Sequence, residues 1–192
     1  MLSLYDKTFI SILGLEYLNN GLKTMTSLAT SELLLTKYGL ESKEMQHRVA
    51  LIALPWTIKL FYGIVIETLP IFISRNRSYI VLTGFLQFLT AIIIATKDFE
   101  NVDIFMGLLI VMNLSAAVLD VVADGIMVME AKKDPERGSE ALQSFSWILL
   151  YFGGIIGGAG GGYMIDKVNP VYAFYVPAVL GLVIAMNGFL LN

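Results

Sequence analysis

The sequence predicts an all-α membrane protein that crosses the bilayer as six helices, and three observations carry that prediction. Apolar side chains make up 56% of the 192 residues, charged ones only 15%, and mean hydropathy is +0.71. A soluble domain of this length has no core large enough to hide so much apolar surface. The apolar stretches also run for about 20 residues, enough for a helix to span the hydrocarbon core, rather than alternating over about 10 as in a membrane barrel. Since only helices and closed barrels satisfy their backbone hydrogen bonds in lipid, the run length decides for helices.

Six segments follow in order. The first, residues 8–36, is the least apolar because it carries Glu16, Asn19, Asn20, Lys23 and several hydroxyls. The second, 49–73, contains Pro55, Lys59 and Glu67, and the third, 79–96, is the cleanest apolar span. The fourth, 104–129, holds Asn113, Asp120 and Asp124; the fifth, 141–165, is crowded with glycine; the sixth, 171–191, contains Pro177. Short connections favour antiparallel neighbours, so residues 1–192 read as a single six-helix transmembrane domain. An even number of spans places the N-terminus, the Arg75–Arg77 turn and the Lys132, Lys133 and Arg137 loop on one side. The opposite side carries Lys37, Lys43, Arg48, Lys97 and Lys167, so the bias is slight; the short, purely basic turn assigns the first side to the cytoplasm or a matrix-like space.

Composition also excludes. A formal charge of -3 and a pI near 5.1, with scattered basic residues, give no field for nucleic acid. The absence of cysteine removes disulfides and thiolate chemistry. No short apolar stretch with a small-residue cleavage site opens the chain, so no cleaved signal is expected. His47 stands without His or Cys partners, which argues against a metal site. The glycines of the fifth segment are not followed by Gly-Lys-Ser or Gly-Lys-Thr, and no Gly-x-Ser-x-Gly nucleophile motif occurs, so an enzyme is not expected. No cofactor is expected either, although lipids should line the exposed helices.

Ionisable groups in a bilayer cost several kcal/mol, and they therefore face a partner, a cavity or a bundle interior. Glu16, Asn20, Lys23 and Ser27 are spaced by four, three and four residues and share one helical face. This stripe either lines a solute path, or lets Glu16 and Lys23 compensate each other, or packs against other polar helices. Lys59 follows Pro55 by four residues, where the proline has weakened the helix, and either binds an anion or snorkels to the interface. Asp120 and Asp124 lie one turn apart with Asn113 near the same face. Two such carboxylates repel, so one is expected to hold a proton near neutral pH, as a proton-coupled carrier would require. Lys59 is the counter-charge if the helices meet; a plain structural ion pair with Lys59, or simple placement near the membrane surface, is the alternative. Gly153, Gly154, Gly157, Gly158 and Gly161 make overlapping small-xxx-small repeats that predict close helix packing, with a bending gate helix as the other reading.

Two blocks of sequence resemble a known family. The first is Pro55-Trp56-Thr57-Ile58-Lys59, then Tyr62-Gly63, Leu69-Pro70-Ile71-Phe72, Arg75, Arg77 and Tyr79. The second is Asp120-Val121-Val122-Ala123-Asp124, Val128, Glu130, Ala131, Leu142-Gln143-Ser144, Trp147 and Gly153-Gly154, with Asn20-Gly21 fitting upstream. In this order they are similar to the folate-biopterin transporter family of the major facilitator superfamily, over nearly the whole chain. The resemblance implies the N-terminal six-helix half of a facilitator, with a pteridine-like solute held at the midplane between two halves and protons as coupling ion. By position it puts Lys59, Asp120 and Asp124 on the central pathway or its supporting ion network. Glu67, Arg75 and Arg77 match the cytoplasmic gate motif between helices two and three, and Gln143 and Trp147 match the motif that opens helix five. The chain departs from the pattern at Leu60, where the family has proline, at Glu67, where it has aspartate, and at Asn76, which interrupts the arginine cluster.

A lone half cannot alternate against a second. The sequence is therefore expected to be a piece of a complete transporter, a half that pairs with itself or a partner chain, or a transport-inactive accessory subunit of a larger membrane complex. Met1 and the stop after the sixth span fit a natural six-helix protein, and the altered gate fits the accessory reading.

Overall fold

The computed structural model describes residues 2–68 and 75–191, with backbone only at Ser3 and Arg75, and every regular element among them is a helix. A 3-10 turn, Leu2–Leu4, leads into α1 (Lys7–Thr36). Asp6 caps α1 by accepting from the Thr8 and Phe9 amides at 2.8 and 3.1 Å, satisfying two otherwise orphaned donors. Those bonds, Phe9 first, hold the Asp6 carboxyl below its ordinary value.

The second segment departs from expectation at its start and middle. Its helix α2 (Ser42–Thr57) begins well before residue 49, with Glu44 in the first turn where the helix dipole favours a negative charge. Pro55 has no amide hydrogen for the Leu51 carbonyl, and the helix breaks at Ile58 before resuming as α3 (Lys59–Thr68). Then come α4 (Arg75–Thr96), α5 (Val102–Ala131) and α6 (Gly138–Lys167). A 3-10 turn, Pro170–Phe174, feeds α7 (Tyr175–Gly188), where Pro177 sits in the first turn and its missing N–H costs no helix bond.

Five segments are long and apolar enough to cross a membrane: Ser42–Thr68, Asn76–Thr96, Val102–Ala131, Gly138–Lys167 and Pro170–Gly188. At 30 residues α1 has the length but not the composition, because its buried face carries Glu16, Asn19, Thr26 and Thr30. Composition thus supports five spans, one fewer than the six expected.

In the bundle α1 lies along α6, α4 along α7 and α5, and α2 along α5. Small residues set the closest approaches. A Cβ on Gly21 would overlap the Leu150 carbonyl oxygen, one on Gly153 would come within 2.7 Å of the Leu18 carbonyl, and one on Gly157 within 3.1 Å of Leu22 Cα. Gly161 continues this stripe against Met25, whereas Gly154 and Gly158 face open space. The packing surface therefore repeats every four residues along one edge of α6, because only that edge meets α1. A second close crossing joins Gly84 of α4 to Gly181 of α7, each 2.8 Å from where a Cβ on the other would meet its carbonyl oxygen.

Two apolar clusters bracket a polar middle layer. One gathers Leu34, Ala91, Ile94, Phe105 and Phe174; the other gathers Phe9, Ile12, Leu13, Leu119, Leu142 and Ile184. Between them lie buried Glu16, Asn19, Gln87, Asn113 and Asp120. At one end Tyr38 donates to the Phe99 carbonyl at 2.9 Å, Arg48 pairs with Asp103 at 2.8 Å and Lys37 pairs with Asp98. These contacts tie the α1–α2 loop to the α4–α5 loop and α2 to the first turn of α5. At the other end Gly138 packs against Ala131 and Tyr5, placing the N-terminus beside the α5–α6 loop.

Candidate solute and proton site

The charged residues of the polar layer come from three helices, α1, α3 and α5. α1 contributes Glu16, Tyr17, Asn20 and Lys23, α5 contributes Asn113, Asp120 and Asp124, and Lys59 is the first residue of α3, directly after the break. Lys59 reaches both aspartates: it pairs with Asp120 and donates to Asp124 Oδ2 at 2.9 Å. Its side chain points inward, not to an interface, and is 34% exposed; Asp120 is 8% exposed and Asp124 35%.

Asn20 is the bridge between the helices. Its amide donates to Glu16 Oε1 at 2.9 Å and to Asp120 Oδ1 at 3.1 Å. Tyr17 donates its hydroxyl to Asp124 Oδ1 at 2.8 Å. Three carboxylates from two helices are thus joined through one ammonium, one amide and one phenol. Glu16 is fully buried, and its Oε2, like Asn20 Oδ1, has no hydrogen-bond partner among the described residues. Such orphaned acceptors in a low-dielectric layer mark a place where a proton or a donor belongs.

The expected alternative of a Glu16–Lys23 pair does not form. Among the described residues Lys23 makes no ion pair; its ammonium sits 4.4 Å from the ring centroid of Trp56, and Trp56 Nε1 donates to Asn113 Oδ1 at 3.3 Å. Behind Lys23, Asn19 and Gln87 exchange amide bonds at 3.1 Å in each direction, and Gln87 also donates to the Pro177 carbonyl at 3.0 Å. A cleft of about 480 Å³ opens onto this layer, lined chiefly by Lys23, Trp56, Lys59, Asp120, Asp124 and Trp147.

The remaining candidates fall elsewhere. Ser27 is exposed and lines a separate hollow with Lys23 and Asn113. Trp147 stacks on Tyr151 with centroids 5.7 Å apart at the cleft edge, while Gln143 is exposed and reaches only Ser139 at 3.4 Å. Of the gate residues, Glu67 is exposed at the end of α3, and Arg77 lies over the Phe189 ring at 5.9 Å, so these two are not brought together. The Arg75 side chain and residues 69–73, which include Leu69, Pro70, Ile71 and Phe72, lie outside the described residues. Among the described residues no group of His, Asp and Glu is arranged to hold a metal.

Sequence reasoning missed Tyr17 and Gln87 and quoted Trp56 without a role. Tyr17 stands three residues before Asn20, on the same face, and a lone glutamine inside the cleanest apolar span was itself a signal. Nothing in the sequence marked Trp56 as the partner of Lys23.

Comparison with known proteins supports the transporter resemblance. The BT1 family model matches residues 20–192. A folate-biopterin transporter of Synechocystis sp. is 28% identical over 176 residues, covering 92% of this chain and 35% of that protein. A probable folate-biopterin transporter 4 of Arabidopsis thaliana is 26% identical over 180 residues, 93% of this chain and 37% of that protein. Folate transporter 1 of Plasmodium falciparum is 24% identical over 172 residues, 88% of this chain and 34% of that protein. The chain therefore spans about a third of the length of these relatives. No solved structure matches significantly. With apolar helices that cross the membrane several times and a match that runs from Asn20 to its last residue, this multi-pass integral membrane protein belongs to the BT1 family.

Proposed function

We propose that this chain forms the first six-helix half of a proton-coupled membrane transporter for a folate- or pterin-like solute, with α1 as the sixth span. One observation carries the reading: Lys59, Asp120, Asp124 and Glu16 are joined in one network at the middle of the bundle, and that network borders an open cleft. Charges at that depth are costly, and a purely structural pair would be sealed on all sides. α1 can span although its hydropathy is low, because its polar face meets the other polar helices and the cleft instead of lipid.

The network supplies what proton coupling needs. Three carboxylates in one network, two of them in contact with its one ammonium and the third joined through Asn20, carry excess negative charge, which uptake of a proton relieves and which draws Lys59 differently in the two states. A second six-helix half, from the same chain, a second copy or a partner chain, would close the cleft and complete the solute site. The accessory-subunit reading is not favoured, since the relatives are named as transporters and the charged groups border an open space.

The test is uptake of folate and biopterin by vesicles holding the full protein, with and without an inward proton gradient. Lys59→Gln, Asp120→Asn and Asp124→Asn should each abolish gradient-driven uptake while the protein still elutes as a folded species. Unchanged uptake in all three variants would remove the network from the mechanism, and migration of the native protein only within a large assembly, without uptake, would restore the accessory reading.

A further inference from the structure

The cleft presents two lysines, and their surroundings divide them by task. Lys59 is held by Asp120 and Asp124, so its charge is already neutralised by protein. Lys23 has no carboxylate in contact among the described residues; its ammonium rests on the Trp56 ring at 4.4 Å, with Glu16 and Asp120 acting on it only at longer range. Trp56 is itself fixed by its bond to Asn113, which makes the ring a platform rather than a free side chain. A cation–π contact leaves the ammonium's hydrogen-bonding capacity unspent, since the ring face accepts charge but offers no lone pair.

We infer that Lys23 is the anchor for an anionic group of the solute, seated between its ammonium and the cleft, while Trp56 bears on the solute's conjugated part. This rests on the transport reading and narrows its substrate class: the preferred solute is a planar conjugated molecule bearing a carboxylate, not a neutral pterin. Three observations favour an anion over a cation at this point. Among the described residues Lys23 is the cleft's lysine without an ion pair, it lies at the middle of α1, and the Asn19 and Asn113 amides of the hollows it also lines each have a second N–H besides the one bonded to Gln87 or to the Leu109 carbonyl. The carboxylates of the layer are taken up by Lys59, Asn20 and Tyr17 on the other side.

The experiment measures binding of two probes to the full protein in lipid nanodiscs by calorimetry: folate, whose glutamate tail carries two carboxylates, and biopterin, which carries none. In Lys23→Gln the ratio of folate to biopterin affinity should fall about tenfold, equivalent to about 1.4 kcal/mol, and Lys23→Arg should restore most of it. Lys43→Gln, in the exposed first turn of α2 and outside the cleft lining, should leave the ratio unchanged. Equal loss for both probes in Lys23→Gln, or no loss for either, would overturn the anchor while leaving transport standing. Binding of biopterin alone by the unaltered protein would also overturn it, and binding of neither probe would sink the transport reading with it.

Discussion

At the scale of single residues the decisive fact is that one lysine serves two aspartates. Removing it leaves Asp120 and Asp124 facing each other one turn apart without a cation. For a fully buried pair that costs about 3–5 kcal/mol, and the one-third exposure of Lys59 and Asp124 brings the expectation for Lys59→Gln to about 1–3 kcal/mol. Adding Asp120→Asn should recover part of that loss, because the repulsion goes with the charge; thermal melts in detergent of both single variants and the double variant check the coupling. Tyr17→Phe deletes the phenol that holds Asp124 and should lower the melting temperature by an amount equivalent to about 1 kcal/mol. Lys59 and the aspartates were legible because charges in apolar spans stand out against their neighbours. Tyr17 and Trp56 were not, since aromatics are unremarkable in such spans and only a partner across the bundle gives them a task.

At the scale of elements, helix α6 is positioned by one edge of glycines. Gly21→Ala sets a methyl against the Leu150 carbonyl, and α1 must move off α6 to admit it. Overpacking at this crossing is expected to destabilise by about 1–3 kcal/mol or to prevent folding. Gly158→Ala meets open space and should be neutral or slightly stabilising, gaining helix propensity of up to about 1 kcal/mol. The two variants, compared by yield and thermal melt, separate contact from composition. The sequence pattern offered overlapping repeats and could not say which edge faced a neighbour. The Gly84–Gly181 crossing was less plain, since α4 contributes a single glycine there while α7 adds Ala185 one turn after Gly181.

The break at Ile58 belongs to this scale as well. Pro55 forecast a weakened helix, and the interruption falls so that Lys59 starts a new helix beside α5. The early start of α2 was hidden, because residues 42–48 are polar and hydropathy reports only the part of a helix that lies in lipid.

For the whole molecule, the outer faces of α3 and α6 remain uncovered. Leu60, Ile148, Tyr151 and Ile155 are exposed there, as suits lipid or a second half of the transporter. The absence of cysteine makes the topology directly measurable. Single cysteines replacing Leu4 and Lys132 should be labelled by a membrane-impermeant maleimide from one side, and those replacing Lys43 and Lys167 from the other. Labelling at positions 4 and 43 from the same side would show that α1 does not span, and labelling at positions 43 and 132 from the same side would show that a segment between them does not.

The sequence by itself determined the class of the protein, its helices and the depth of its charges, because hydropathy and helical spacing are local properties and the bilayer imposes one solution on them. It also carried the family resemblance, which lies in short ordered blocks. Only the tertiary structure decided the pairing: Lys59 with both aspartates, Asn20 between two carboxylates, Lys23 on Trp56 instead of on Glu16, and one glycine edge in contact with the other left open. These depend on how helices far apart in sequence are rotated and set in height against one another, and that is fixed by packing across the whole bundle, to which no single helix holds the key.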